Sequence, residues 1–88
     1  MKQEIIPGKP LNESLSTNLK MYTGHTDRVQ VSQETGISVS TIRNVIYQGN
    51  PVTKKNLIAV IGMIRAAKKN INKAKEAEVI FEEIEIIV

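Results

Sequence analysis

Apolar side chains recur at helical spacing near the start of the chain. Their separation of three or four positions predicts a first helix over about 11–23. Glycine tolerates the positive φ of a helix end, so Gly24 is expected to stop this helix. Residues 1–10 hold two prolines and a glycine, which do not propagate a helix, so they are expected to form a flexible N-terminal arm. The apolar face of the first helix comprises Leu11, Leu15, Leu19 and Tyr22.

Two shorter helices are predicted next, separated by a single glycine. Thr26 is a good N-cap, and the following pattern predicts a second helix over about 27–35. Gly36 ends that helix, and Ser38 can cap a third helix at once, over about 39–47. The third helix places three branched apolar residues on one face, namely Ile42, Val45 and Ile46.

The fourth helix is predicted to be the central strut of the fold. It follows a turn at 48–51, begins after the capping residue Thr53, covers about 54–69 and stops near Asn70. Because apolar residues occur on most of its sides, we expect it to be buried on more than one face.

Residues 71–88 are expected to form a C-terminal helix or tail. Helical spacing of the apolar residues favours a helix to about residue 84, although the alternating Glu83, Glu85 and Ile86-Ile87 also suit a strand. Five helices in 88 residues predict an all-α fold. The apolar positions that support the fifth helix are Ala74, Ala77, Phe81, Ile84 and Val88.

Composition argues against catalysis and against a metal or organic cofactor. The 88 residues fit one domain, with no cysteine, one histidine and one aspartate, so the usual acids, bases and ligands are scarce. His25 and Asp27 lie close together, but a loop or helix-start role explains them better than chemistry does. No apolar run reaches the ~18 residues of a membrane span, and no secretory signal is visible. A cytoplasmic protein that is not an enzyme is therefore expected.

The net charge of +3 is divided unevenly along the chain. Residues 1–75 carry twelve bases and four acids (12 − 4 = +8), whereas residues 76–88 carry five glutamates and no base. A small domain this basic attracts polyanions, and nucleic acid is the commonest polyanion in a cytoplasm. The alternative is a solubilising surface with an acidic tail.

The glycine between the second and third helices suggests a helix-turn-helix. Gly36 can adopt positive φ at the turn, and the small Ser32, one helical turn earlier, lets the two helices cross closely. Val31 and Ile37 are expected to be buried on either side of the turn. In a DNA-binding unit the outward flank of the third helix lies in the major groove.

These residues also carry a family resemblance. Residues 35–46 (TGISVSTIRNVI) resemble the helix-turn-helix of the lactose-repressor and phage lambda-repressor-like families, and residues 49–53 (GNPVT) resemble the loop that opens the next helix in lactose-repressor headpieces. The resemblance covers about 27–67. A helix before it and one after it are more similar to the five-helix lambda-repressor-like plan, which implies a central helix-turn-helix within a domain at 11–70.

The chain departs from the lactose-type pattern at two positions within the motif. Ser32 stands where alanine is usual, and Tyr47 stands where those headpieces usually carry asparagine. The 88 residues include neither a hinge helix nor a sugar-binding domain, so a small-molecule effector is not implied.

Candidate DNA contacts follow from the predicted outward flank. Arg43 can give guanine two parallel hydrogen bonds and Asn44 can pair with adenine, whereas Val39 suits a thymine methyl. Alternatives remain: a phosphate clamp for Arg43, packing for Asn44 and Val39, and a solvated face for the lysines. The base-contact candidates are Val39, Ser40, Arg43, Asn44 and Tyr47. The phosphate-contact candidates are Thr26, Arg28, Ser38, Thr41, Gln48, Asn50, Lys54 and Lys55.

The sequence therefore predicts a small double-stranded-DNA-binding regulator of transcription. Because one helix-turn-helix reads few base pairs, a homodimer is expected, formed by the apolar C-terminal segment. The alternative is a protein-interaction module or antitoxin-like adaptor that keeps the fold without binding DNA. The predicted dimer-interface residues are Ile80, Phe81, Ile84 and Ile87.

Overall fold

The computed structural model describes the backbone of residues 4–82 and the side chains of residues 4–76. The described residues form no strand, which confirms the all-α class. They form four helices: α1 (Glu13–Tyr22), α2 (His25–Thr35), α3 (Val39–Ile46) and α4 (Leu57–Glu82).

The prediction of five helices is wrong, because α4 covers both the fourth and the fifth predicted helix. Asn70 does not stop the helix. Its side-chain amide instead donates to the carbonyl of Tyr22 at 2.8 Å and to the carboxylate of Asp27 at 3.2 Å. Residues 71–82 contain no glycine or proline and are rich in Ala, Lys and Glu, so nothing local interrupts the helix.

The junction between α1 and α2 differs from the prediction. Gly24 has an extended φ of −137° and is the N-cap of α2, so the expected positive φ at this glycine is wrong. Its N–H donates to the Asp27 carboxylate at 2.9 Å. Thr26 is therefore not the cap but lies in the first turn of α2, since the helix begins one residue before it, at His25.

The turn between α2 and α3 is as predicted. Gly36 has φ 76°, and its N–H donates to the carbonyl of Ser32 at 2.9 Å, which ends α2. Ser38 is the N-cap of α3, and its hydroxyl oxygen accepts from the N–H of Thr41. Glycine is favoured at 36 because an L side chain at this φ is strained.

The first and fourth helices both begin later than predicted. Asn12 caps α1 by accepting from the N–H of Leu15, so Leu11 precedes the helix although its side chain is buried. Thr53 and Asn56 cap each other's N–H groups, which closes a turn before the regular part of α4 begins at Leu57.

The core forms where α4 crosses the other three helices. At one crossing a Cβ placed on Gly62 would lie 3.0 Å from Val31 Cγ1, so an alanine there would require Val31 to give by a few tenths of an ångström. α4 is the predicted central strut, but Ile58 and Ile61 are 57% and 40% exposed, so burial on more than one face is wrong for this part of the helix. The buried apolar residues are Leu11, Leu19, Val31, Ile42, Val45, Ile46, Val52, Ala59, Val60, Met63 and Ala67.

Residues 4–10, the described part of the predicted arm, contact the rest of the protein through backbone hydrogen bonds. The N–H of Gly8 donates to the carbonyl of Val52, and the N–H of Val52 donates back to the carbonyl of Lys9 at 2.9 Å. Ile5 packs against the core. Because Val52 is fully buried, this pairing also holds the loop that leads into α4.

α4 extends beyond the helices that it packs against. At 1.5 Å per residue its 26 residues span about 39 Å, and the described structure is 59 Å in its longest dimension. Ile71 is half-buried, whereas the side chains at positions 72–76 are exposed. No helix among the described residues is both long and apolar enough to cross a membrane.

Candidate nucleic-acid interface

The outward flank of α3 is polar and open to solvent. Ser40, Arg43, Asn44 and Tyr47 are exposed, and Val39 is half-buried. The opposite face of α3 consists of Ile42, Val45 and Ile46, each no more than 2% exposed. Burial of that face fixes the rotation of α3, so four of the five predicted base-contact residues share one accessible surface and Val39 lies partly within it.

Two cations lie over one aromatic ring at the end of α3. Arg43 Cζ is 4.5 Å from the centroid of the Tyr47 ring, and Lys20 Nζ is 5.3 Å from the same centroid. Both distances are within the range of cation–π attraction. Lys20 belongs to α1 and was not among the sequence candidates, because only the packing of α1 beside α3 brings it to this surface.

A groove lies beside the N-terminus of α3, between the helix-turn-helix turn and the residues that precede α4. It has a volume of about 270 Å³ and includes Ser38, Thr41 and Lys55 in its lining. Ser38 Oγ donates to Thr41 Oγ1 at 2.8 Å, so these two hydroxyls are held as a pair. Lys54 and Lys55 are exposed. The structure thus brings three predicted phosphate-contact residues together at this groove, namely Ser38, Thr41 and Lys55.

The start of α2 is less suited to a phosphate than the sequence suggests. The Asp27 carboxylate accepts from the N–H of Gly24 and from Asn70, and its negative charge already interacts with the N-terminus of α2. Arg28 is half-buried, and its Nε is buried without a hydrogen-bond partner among the described residues. Thr26 is exposed but lies beside this carboxylate.

Gln48 and Asn50 shape the turn after α3. Gln48 adopts φ 63°, and its side-chain amide donates to the carbonyl of Leu11 at 2.7 Å. The N–H groups of Gly49 and Asn50 both donate to the carbonyl of Asn44. The Gln48 side chain, a predicted phosphate contact, thus ties this turn to Leu11, which precedes the N-cap of α1. This role has no local sequence signal because the partner is 37 positions away.

The predicted dimer-interface residues lie outside what the structure describes. The side chains of Ile80 and Phe81 are beyond the described side chains, although their backbone belongs to α4. Ile84 and Ile87 lie beyond the described backbone.

No metal-binding cluster exists among the described residues: they contain no group of three His, Asp or Glu side chains close enough to bind an ion. His25 is the first residue of α2 and is exposed. Comparison with protein-family models, with curated proteins and with solved structures finds no match to this chain.

Proposed function

We propose that this protein is a sequence-specific double-stranded-DNA-binding regulator of transcription that acts in the cytoplasm. The single observation that carries the proposal is the exposed polar flank of α3. This flank faces solvent because the opposite, apolar face of α3 is buried, and Gly36 forms a left-handed turn before the helix. An exposed α-helix fits into the major groove of B-DNA, which is about 12 Å wide.

The residues of the flank have distinct proposed roles. Arg43 presents two parallel donors to guanine O6 and N7, while Asn44 pairs with adenine and Ser40 approaches a base edge closely. The ring of Tyr47 limits the motion of Arg43, since the guanidinium lies over it at 4.5 Å. Lys54 and Lys55 bind phosphates beside the paired hydroxyls of Ser38 and Thr41.

Electrostatics support the same surface. Lys20, Arg43, Lys54 and Lys55 are exposed cations on α3 or on the segments beside it. The five glutamates of the chain's last thirteen residues lie in and beyond the distal end of α4. A duplex placed against α3 therefore meets positive charge, and like-charge repulsion keeps the acidic end of α4 away from phosphates.

Selection from a random duplex pool followed by titration tests the proposal. An enriched site should bind with a salt-dependent affinity. Arg43→Ala should cost ~1–3 kcal/mol and relax the preference at one base pair. Lys54→Ala should weaken binding to all duplexes alike and lower the salt slope by about one unit.

Lys68→Ala is the matched control, because Lys68 is an exposed lysine on α4 outside the candidate interface. It should leave the sequence preference unchanged. Absence of salt-dependent binding to any duplex, or equal effects of Arg43→Ala on every base pair, would contradict sequence-specific recognition.

A protein-interaction module is the second candidate, and Ile58 and Ile61 favour it. These two isoleucines are exposed and lie three positions apart on α4, a spacing that places them on one side of the helix. If this surface is the functional one, Ile58→Ser with Ile61→Ser abolishes co-purification with a defined protein partner, while no duplex binds. Retained DNA binding by that double variant supports the regulator instead.

A further inference from the structure

Two cations at the C-terminal end of α3 have no anionic partner. Arg43 Cζ and Lys20 Nζ lie 4.5 Å and 5.3 Å from the centroid of the Tyr47 ring. Neither side chain forms an ion pair or a hydrogen bond with another described residue. Since both cations lie close to one point, salt screens their repulsion only in part, because the Debye length is about 8 Å at physiological ionic strength. An anion bound beside them would remove this repulsion.

Lys20 has a fixed place beside α3, because α1 is attached to that helix. One turn before Lys20, the hydroxyl of Ser16 donates to the carbonyl of Ile46, the last residue of α3. The neighbour of Lys20 in the sequence, Leu19, is 2% exposed, and its burial fixes the rotation of α1. The exposed Lys20 side chain therefore projects from a backbone that is held at the edge of the candidate interface.

A second cationic group lies at the opposite end of α3. Lys55 lines the groove that contains Ser38 and Thr41. Ser38 and Tyr47 are the N-cap and C-cap of α3, and nine residues of helix separate them by about 13 Å. Lys20 and Lys55 thus flank the candidate base-contact residues, one at each end of the helix.

The separation of these two ends is close to the width of the major groove of B-DNA, about 12 Å. Phosphates of opposite strands line the two walls of that groove. We propose that Lys20 binds a backbone phosphate on one wall of the major groove and that Lys55 binds a phosphate on the other, so that α3 crosses the groove from strand to strand. The inference rests on the proposed function and adds α1 to the DNA-binding surface.

The Tyr47 ring has two effects in this arrangement. It lies beneath the Arg43 guanidinium, which is directed to a base, and beside the Lys20 ammonium, which is directed to a phosphate. Restricting a flexible cation before binding lowers the entropy that is lost on binding. The attraction depends on the face of the ring and not on its hydroxyl, so a phenylalanine can replace Tyr47 in this role.

A purely structural role for Lys20 makes a different prediction. Lys20 lies in the last turn of α1, where a cation interacts favourably with the helix dipole. That role changes the stability of the protein but has no relation to a particular DNA strand. The decisive measurement is therefore the strand on which Lys20 acts.

Salt-dependent titration of the duplex enriched by selection is the first test. Lys20→Ala should raise the Kd several-fold for all duplexes alike, lower the salt slope by about one unit and leave the base-pair preference unchanged, as expected for one lost phosphate contact. Lys20→Arg keeps the charge and should keep the slope. Lys68→Ala, the matched control on α4, should also keep it.

Neutral phosphate analogues identify the strand. Single methylphosphonates are placed in turn along both strands of the same duplex, and each duplex is titrated with the protein. The unmodified protein should lose affinity at positions on both strands. Lys20→Ala should become insensitive to the substitutions on one strand only, and Lys55→Ala to those on the other strand only. Lys68→Ala should remain sensitive on both.

Substitutions of Tyr47 test the part played by the ring. Tyr47→Phe should retain both the base-pair preference and the two sets of sensitive phosphates. Tyr47→Ala should relax the preference assigned to Arg43 and weaken the sensitivity assigned to Lys20, while the helical circular dichroism is unchanged.

Two results would overturn the proposal while the duplex still binds. One is an unchanged salt slope in Lys20→Ala, and the other is loss of sensitivity on the same strand in Lys20→Ala and Lys55→Ala. In either case the DNA-binding proposal stands and the assignment of Lys20 does not. Failure of the unmodified protein to bind any duplex would overturn both proposals, so the two failures are distinguishable.

Discussion

The two halves of α4 are stabilised in different ways. The first half, from Leu57 to about Ile71, crosses α1, α2 and α3 and buries Ala59, Val60 and Met63. The second half, to Glu82, has exposed side chains at positions 72–76 and continues as helix without neighbours among the described residues. A helix can thus be one continuous element and still consist of two energetically different parts.

This difference shows what packing and propensity each contribute. In the first half, tertiary contacts compensate for the poor helix propensity of Gly62. Because this glycine has no side chain, Val31 packs close to the backbone of α4. In the second half, alanine, lysine and glutamate favour helix locally, but their charges are ordered against the helix dipole. Isolated helices of about twelve residues are marginal in water, so the second half depends on its continuity with the packed first half.

The largest expected effect is in the first half. Met63→Ala should lower the free energy of unfolding by ~2–5 kcal/mol, because Met63 is fully buried between α4 and its neighbours. Urea denaturation measures this loss. Lys73→Ala in the exposed second half serves as the control and should change the free energy of unfolding by less than ~0.5 kcal/mol. Equal losses in the two variants would remove the distinction between the halves.

A smaller effect is expected at the turn between α2 and α3. Gly36→Ala should cost ~1–2 kcal/mol, because φ 76° is strained for any residue with a Cβ. Gly24→Ala is the matched control: its φ of −137° suits alanine, and nothing lies within 4 Å of the added Cβ. Thermal unfolding of the two variants should separate them, and a loss at Gly24 as large as that at Gly36 would refute the backbone explanation.

The smallest global effect is expected in the second half. Ala74→Gly should cost ~1 kcal/mol of local helix stability, since glycine is a poor helix former and Ala74 is exposed. Amide hydrogen exchange near residue 74 should accelerate, while the free energy of global unfolding of the monomer barely changes. A loss of the full amount in global unfolding would show that both halves unfold as one unit.

Local signals in the sequence were sufficient for the helix-turn-helix. The roles of Gly36 at the end of α2 and of Ser38 as the N-cap of α3 follow from their immediate neighbours in the sequence. The buried face of α3 follows from the spacing of its apolar residues alone. The predicted positive φ of Gly24 is wrong because the N–H of this glycine donates to the Asp27 carboxylate, a contact that goes with an extended N-cap. The prediction that Asn70 ends a helix is wrong for a similar reason. Its side-chain amide donates to Tyr22 of α1 and to Asp27 of α2, and the helix continues past it.

The candidate interface was only partly predictable for the same physical reason. Arg43 and Ser40 follow from the helical repeat of α3, and both are exposed as expected. The place of Lys20 beside Tyr47 was not predictable from the pattern of α3, since Lys20 belongs to another helix. The hydrogen bond of the Gln48 side chain was not predictable either, because its acceptor, Leu11, is 37 positions away. Roles set by residues distant in the chain become visible only when the helices are assembled.

Ser16 determines how far the structural unit around α3 extends. Its side chain is 1% exposed, and its hydroxyl donates to the carbonyl of Ile46 in the last turn of α3. That carbonyl has no partner within its own helix, so α1 provides the group that completes it. The smallest unit that satisfies the backbone of α3 is therefore three helices rather than two, because α2, the turn and α3 without α1 would lack the donor that this buried carbonyl uses.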